Sequence, residues 1–284
     1  MRGVLMMCLS TVGFATMHFA IRVVSAELHP LQIAFLRDLF GLLFLAPLLI
    51  GSGFEQMKTS RIGLHALRAV VNIGAMWLFF SALAITPLAK VTALGFTAPI
   101  FMAILSVAVL GETFRLRRWL AIFVSFIGML IILRPGLIEV DRGSLMVLVS
   151  AGLWSVAMTI VKFLSRTETS VAIVAWMGVF LSVFSIGPAL WVWSDPTLWA
   201  WGWLLFIGFS GAVAQVTLSQ SLKETDPTAV MPFDFLKLVW AALLAFYFLG
   251  ETPDELTFVG AAVIFSSGLY IAYRERLAAK RRET

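Results

Sequence analysis

The sequence is poor in charge and in reactive side chains. Charged residues make up 13% of the 284 positions, against 60% hydrophobic, which is too few to coat a soluble globule of this size. There is one cysteine, Cys8, so an internal disulfide and a thiolate metal cluster are both excluded. The three histidines, His18, His29 and His65, fall in or beside three different apolar runs. Two histidines one helical turn apart, the spacing a helical metal site needs, are missing. No cofactor and no metal is expected. Long polar stretches are lacking too, so there is no room for a separate soluble domain.

What the chain has instead is apolar length. A helix that crosses a bilayer needs about 20 mostly apolar residues, since the hydrocarbon offers no water to satisfy an open backbone. Ten such runs are read, at 3–24, 31–51, 64–86, 89–110, 117–133, 144–163, 171–193, 199–221, 228–249 and 256–273. The expected fold is an all-α integral membrane protein with ten transmembrane helices.

The chain also repeats itself. Leu110-Gly111-Glu112-Thr113 returns as Leu249-Gly250-Glu251-Thr252, 139 residues later. With a shift of 140, Gly3, Leu5, Met6, Ser10, Phe14, Arg22 and Ser25 meet Gly143, Leu145, Met146, Ser150, Trp154, Lys162 and Ser165. The first run, although it follows Arg2 like a signal peptide, is therefore expected to be a retained helix. Two units follow, 1–139 and 140–284, the second ending in a basic tail. Five spans per unit is an odd number, so the second unit enters the membrane the opposite way round, as an inverted repeat.

Loop charge sets the orientation. With the N-terminus inside, the inner segments hold fifteen Lys and Arg and the outer segments four, Arg22, Lys90, Arg134 and Arg142. Both termini are then cytoplasmic by the positive-inside rule. The net charge of +5 reads as an orientation device beside anionic lipid, and no nucleic-acid partner is expected.

The two remaining basic residues, Arg37 and Lys237, lie inside spans, where a charge costs roughly 2.5–3.5 kcal/mol unless it faces protein or a wet cavity. Arg37 is followed by Asp38. Adjacent helical residues point about 100° apart, so Arg37 is expected to find its partner on another helix, as a coupling or structural ion pair. Lys237 and Asp234 are three apart on one face. The paired positions in the first unit are Ala98 and Gly95, so the repeat does not require this charge pair. It is therefore the first candidate for substrate contact. His18, Asn72, Trp77, Trp154 and Trp240 are further candidates for the cavity wall, with Thr92, Thr97, Gln215 and Gln220 reading first as helix contacts. Trp191, Trp193, Trp199, Trp201 and Trp203 form an interfacial belt. Pro99 and Pro232 interrupt the fourth and ninth runs and are expected to kink them, while Glu112 and Glu251 are expected to act as helix-end caps, hinges or gating groups.

Two five-helix halves, His29-Pro30 followed by Arg37, the repeated Leu-Gly-Glu-Thr tetrad, and Gly128 and Gly268 in the following spans together resemble the EamA family of the drug/metabolite transporter superfamily. The resemblance implies a cavity walled by helices 1, 3, 4, 6, 8 and 9, with helices 5 and 10 peripheral, and alternating access for amino acids or other metabolites. It departs from the plainer family pattern at Pro232, since proline is expected nearer Leu238. The function expected is secondary transport of a small polar or amphipathic metabolite, amino acid or cofactor-like, proton-coupled or by exchange. Lys237 would meet a carboxylate or phosphate and Asp234 an amine or a proton. The partners are a small-molecule substrate and membrane lipid, a homodimer is compatible with the sequence, and the family and the short loops imply a bacterial inner membrane. An integral-membrane enzyme acting on a lipid or isoprenoid is the alternative, and would carry an acid-rich or histidine-rich surface loop; an accessory subunit is a third reading.

Overall fold

The computed structural model describes residues 2–51, 59–110, 116–134, 140–164, 167–168, 170–224, 233–252 and 254–283. These residues are almost wholly helical, and no strand occurs among them. The helices are α1 (Arg2–Val24), α2 (Pro30–Gly51), α3 (Ile62–Ile85), α4 (Leu88–Gly95), α5 (Ala98–Leu110), α6 (Leu116–Leu133), α7 (Arg142–Leu164), α8 (Ser170–Trp191), α9 (Leu198–Glu224), α10 (Leu236–Leu244) and α11 (Glu255–Glu283). A π-helical turn, Ala245–Leu249, extends α10.

Five stretches of the described residues are long and apolar enough to cross a membrane: Arg2–Val24, Ile62–Ile85, Leu88–Val109, Arg142–Leu164 and Leu198–Ser221. Their outward faces agree with a lipid solvent. Leu5, Leu145 and Leu205 are open on the surface, where in water they would be a liability. Trp191 and Leu198, at the ends of α8 and α9, are the most open of the large apolar side chains, at 86% and 90%.

The fourth run is broken where its proline predicts. Helix α4 stops at Gly95, Phe96 and Thr97 form a turn, and α5 restarts at Ala98 with Pro99 as its second residue. Proline has no N–H to give the carbonyl one turn back, and its ring crowds that carbonyl, so the ladder opens there. Pro232 and Glu112 lie outside the described residues.

The packing alternates in a regular way. Helix α1 lies along α9, and α3 lies along α7; α6 crosses α11, and α2 packs on α8 and α9. Small residues allow the close crossings. A Cβ on Gly128 would stand 2.7 Å from the Gly260 carbonyl oxygen, and one on Gly260 would stand 2.5 Å from the Gly128 carbonyl oxygen, so α6 and α11 touch backbone to backbone. Gly268, the residue that the repeat pairs with Gly128, has open space around it instead. Between α1 and α9, the Ser10 hydroxyl donates to the Ala214 carbonyl at 2.9 Å, beside Gly13. Between α3 and α7, the Ser150 hydroxyl donates to the Ala75 carbonyl at 2.6 Å.

Candidate functional site

Among the described residues, two groups of charged side chains sit where helices converge. The first is inside the bundle. Asp234 lies in the helical turn before α10 and Lys237 in the first turn of α10, so the spacing of three places both on one side. The Lys237 ammonium donates to both Asp234 carboxylate oxygens at 3.2 Å. It also stands over two rings, 5.6 Å from the centroid of Phe14 on α1 and 5.2 Å from that of Phe96 in the α4–α5 break. The break in the fourth run is what brings Phe96 here, and the ring continues into a wall with Phe235 at 5.9 Å and, beyond it, Phe265 at 4.8 Å from Phe235.

His18, one turn after Phe14 on α1, closes the neighbouring side. Its ring is 6.3 Å from Phe14 and 5.0 Å from Phe79 of α3. The Nδ1 atom of His18 is buried without a hydrogen-bond partner, as are Nε1 of Trp77 and Nε1 of Trp240. An unmet polar group in the interior costs about 1–3 kcal/mol, so these three, on α1, α3 and α10, ask for a ligand or water. Asn72, half-buried on α3, makes no hydrogen bond with a described residue either.

Trp154 is placed by its helix face. It lies three, four and seven residues after Ala151, Ser150 and Val147, which are all buried, and so shares their side of α7. Leu145 and Val149, on the opposite side, are the ones open to lipid. Trp154 is nonetheless 43% exposed, which means that the inner face of α7 has open space in front of it. Its repeat partner is Phe14, one of the two rings over Lys237.

Arg37 departs from expectation. Its Nη1 donates to Asp38 Oδ1 at 2.6 Å, so the partner is the adjacent residue and not one on another helix. The arginine side chain is long enough to bend back over the 100° between them. The neighbouring helix supplies room rather than charge: a Cβ on Gly211 of α9 would lie 3.5 Å from Arg37 Nε. Asp38 is almost fully buried, and its second oxygen has no hydrogen bond.

Arg68, one of the fifteen basic residues counted above in the inner segments, is a buried cation. It sits two turns into α3 and is 4% exposed, donating to the Ile173 carbonyl at 2.9 Å and to Met177 Sδ at 2.9 Å on α8. One turn before it, His65 is buried with neither ring nitrogen hydrogen-bonded. Arg68 already fell inside the apolar run read at 64–86 and was counted with the loop before it because it stands near that run's start; α3, which begins at Ile62, carries it about two turns in.

The second group closes the opposite ends of α1, α3, α6 and α10. Arg22 donates to the Leu83 carbonyl at 3.0 Å, to the Ala84 carbonyl, and to Glu251 Oε1 at 3.1 Å. Glu251 Oε2 accepts the Leu88 amide at 2.9 Å, so it caps α4 from another part of the chain. Gly250 makes this possible: it ends the π-helical turn with φ +66°, a left-handed conformation suited to glycine, and turns Glu251 back toward α1. Lys90 pairs with Asp141 at 2.6 Å, and Arg134 with Asp254. Asp141 also accepts from the Thr86 hydroxyl at 2.8 Å and the Ser144 amide at 2.9 Å. Partial burial opposes its ionisation, but the hydrogen bonds from Lys90, Ser144 and Thr86 outweigh it and hold its carboxyl well below the usual carboxylate range. Behind these pairs is a cavity of about 360 Å³ lined by Lys90, Arg134, Glu251, Thr252, Asp254 and Thr257 among others. No group of three or more His, Cys, Asp or Glu side chains able to hold a metal occurs among the described residues.

Comparison with known proteins identifies the family. The sequence pattern of the EamA-like transporter family matches residues 1–134 and 141–273. An S-adenosylmethionine uptake transporter of Rickettsia bellii is 30% identical over 252 residues, 89% of this chain and 87% of its own length. Its counterpart in Rickettsia prowazekii is 27% identical over 97% of this chain and 94% of its own. A riboflavin transporter of Brucella anthropi is 30% identical over 84% and 86%. A solved crystal structure, 17% identical, superposes over 92% of this chain and 95% of its own with a TM-score of 0.62, a likeness of fold.

Proposed function

Because the chain belongs to the EamA-like transporter family, it is a multi-pass membrane protein that carries a small metabolite and is not an enzyme, and we propose that it works by alternating access between two inverted five-helix repeats, residues 1–139 and 140–284. Ten spans, cytoplasmic termini and a bacterial inner membrane belong to the same reading. Two hydrogen bonds support the repeat. The donors Ser10 and Ser150 are 140 apart and the acceptors Ala75 and Ala214 are 139 apart, so α1 on α9 and α7 on α3 make the same contact. The loop charge supports the orientation, and moving Arg68 out of the inner set leaves it unchanged in sign.

The observation that carries the substrate site is the pair Lys237–Asp234, a cation and an anion inside a membrane bundle, under the rings of Phe14 and Phe96. The charges are affordable only in a polar cavity. A carboxylate of the substrate meets Lys237, an amine meets Asp234, and Trp154, Trp240, Trp77, His18 and Asn72 supply wall and hydrogen bonds. The relatives named for S-adenosylmethionine and riboflavin favour an amino acid or cofactor-like metabolite that combines flat rings with polar groups.

The test is counterflow in proteoliposomes with a panel of amino acids, nucleosides, S-adenosylmethionine and riboflavin, using wild type and Lys237→Met. Exchange of one compound, lost in a folded Lys237→Met protein, is the expected result. If Asp234→Asn combined with Lys237→Met exchanges as well as wild type, the pair is scaffold and the site lies elsewhere.

A further inference from the structure

The way Lys237 is held points to the chemistry of the substrate, an inference that rests on the transport site just described. The distance of 3.2 Å from its ammonium to each Asp234 oxygen is long for a charge-assisted bond, which ordinarily closes to about 2.7–2.9 Å. The cation is instead shared with two ring faces, Phe14 of α1 and Phe96 of the α4–α5 break. An intrahelical ion pair needs no aromatic rings to form. Ring faces attract cations in general, and they hold a weakly hydrated organic cation well because little hydration has to be given up. A lysine ammonium, compact and strongly hydrated, is a poor occupant of such a place.

We propose that Phe14 and Phe96 form the cation seat of the transport site, that Lys237 is its resident occupant in the absence of substrate, and that the substrate carries both a carboxylate and a permanent organic cation, a sulfonium or quaternary ammonium. On binding, the substrate carboxylate draws Lys237 off the rings. The substrate cation then takes the vacated seat, facing Asp234. Two cations and two anions remain, so this part of the site stays neutral, which a low-dielectric bundle requires. No covalent bond changes. His18 and Phe79 extend the aromatic surface beside Phe14, and Phe235 and Phe265 extend it beside Phe96, room for an apolar or heteroaromatic remainder of the molecule. Dimethylsulfoniopropionate meets this balance; S-adenosylmethionine carries the same two groups and an α-ammonium besides, a third cation that this part of the site would have to leave in water, whereas riboflavin carries neither charge.

The experiment uses the purified full-length protein in detergent and in proteoliposomes, with two matched pairs of probes. S-adenosylmethionine is compared with S-adenosylhomocysteine, which lacks the methyl group and the sulfonium charge; dimethylsulfoniopropionate is compared with 3-methylthiopropionate. Half-saturating concentrations come from thermal stabilisation and from counterflow. At least one sulfonium compound is expected to bind roughly 5- to 30-fold more tightly than its neutral-sulfur partner. Phe14→Leu and Phe96→Leu should collapse that ratio toward one, and Phe14→Trp, which keeps a ring face, should preserve it. Equal binding of the two members of both pairs overturns the proposal, as does a ratio that survives in folded Phe14→Leu and Phe96→Leu proteins. If riboflavin or a plain amino acid exchanges while neither sulfonium is preferred, the transport reading stands and the cation seat falls. If no compound of the whole panel exchanges, both fall.

Discussion

Replacing Glu251 by glutamine tests how the ends of α1, α3 and α10 are tied together. Glu251 bonds the Arg22 guanidinium through one oxygen and the Leu88 amide through the other, and the amide side chain of glutamine can keep only one of these while losing the charge. Charge-assisted hydrogen bonds contribute about 1.5–3 kcal/mol when well buried. Arg22 and Glu251 side chains are 24% and 19% exposed, so solvent screening argues for the lower half of that range, about 2 kcal/mol. If these bonds exist only with this end closed, losing them raises the open fraction by roughly 30-fold, since 1.4 kcal/mol is a factor of ten. The readout is a cysteine at Ala89, a buried residue of the cavity wall, in a Cys8→Ser background. A membrane-impermeant thiol reagent should modify it about 30-fold faster in Glu251→Gln than in the parent. Arg22→Gln should act in the same direction, and the double variant should add little, because both remove one contact. Labelling rates that do not change in folded Glu251→Gln, or effects that simply add in the double variant, would refute the clamp.

Four other outcomes follow from the packing and the charges. Gly128→Ala or Gly260→Ala drives a methyl group into a backbone carbonyl and should cost about 1–3 kcal/mol, seen as a lower temperature of aggregation in detergent, with no comparable loss at Gly268. Gly250→Ala forces an L side chain into left-handed backbone at about 1–2 kcal/mol, and should loosen Glu251 as well, so its Ala89→Cys labelling should rise. Asp141 has a depressed carboxyl pKa, so its contribution to stability is complete above the ordinary value of about 4 and is lost as pH falls toward the depressed one; Asp141→Asn should lower stability at neutral pH and flatten the acid limb of the stability profile. Trp154→Ala should leave the melting temperature nearly unchanged and reduce exchange, because the ring faces open space on the inner side of α7; a large loss of stability would place it in the packed core.

How far the sequence carried the fold depends on what the duplication preserved. Apolar length is a property of composition, so an all-helical membrane protein was legible, with five membrane-length stretches among the described residues, and the tetrad marked one helix end whose glycine does adopt left-handed backbone at Gly250. Pro99 located the break at Phe96 because a missing N–H has a local consequence. The contacts of Glu251 were not legible, since Arg22 is 229 positions away and only the folded chain brings them together. Phe96 and Phe14 were invisible as site residues for a similar reason: 24 phenylalanines look alike until two of them meet one ammonium. Arg37 was misread by treating helical angle as the whole of reach, when a flexible arginine covers the gap to Asp38.

Arg68 shows where the internal comparison loses its force. At the offset of 140, Arg37 on α2 corresponds to Met177 on α8, and Gly208 on α9 corresponds to Arg68 on α3. Both helix pairs, α2 with α9 and α3 with α8, hold one guanidinium, partly buried in the first and buried in the second, yet the cation has moved to the other helix of the pair. In the first, Arg37 extends over Gly211 and bonds Asp38; in the second, Arg68 reaches Met177 and the Ile173 carbonyl. A position-by-position match cannot see such an exchange, because it aligns cation with methionine and glycine with cation. The interface keeps its chemistry while its residues trade places. The same logic sets apart Lys237 and Asp234, whose paired positions are the uncharged Ala98 and Gly95; the Ala98 carbonyl accepts from the Ser155 hydroxyl at 2.9 Å. A charge pair present in one copy of a duplicated sequence is what the proposed substrate site would use, and exchange by Lys237→Met tests whether it does so or only builds the bundle.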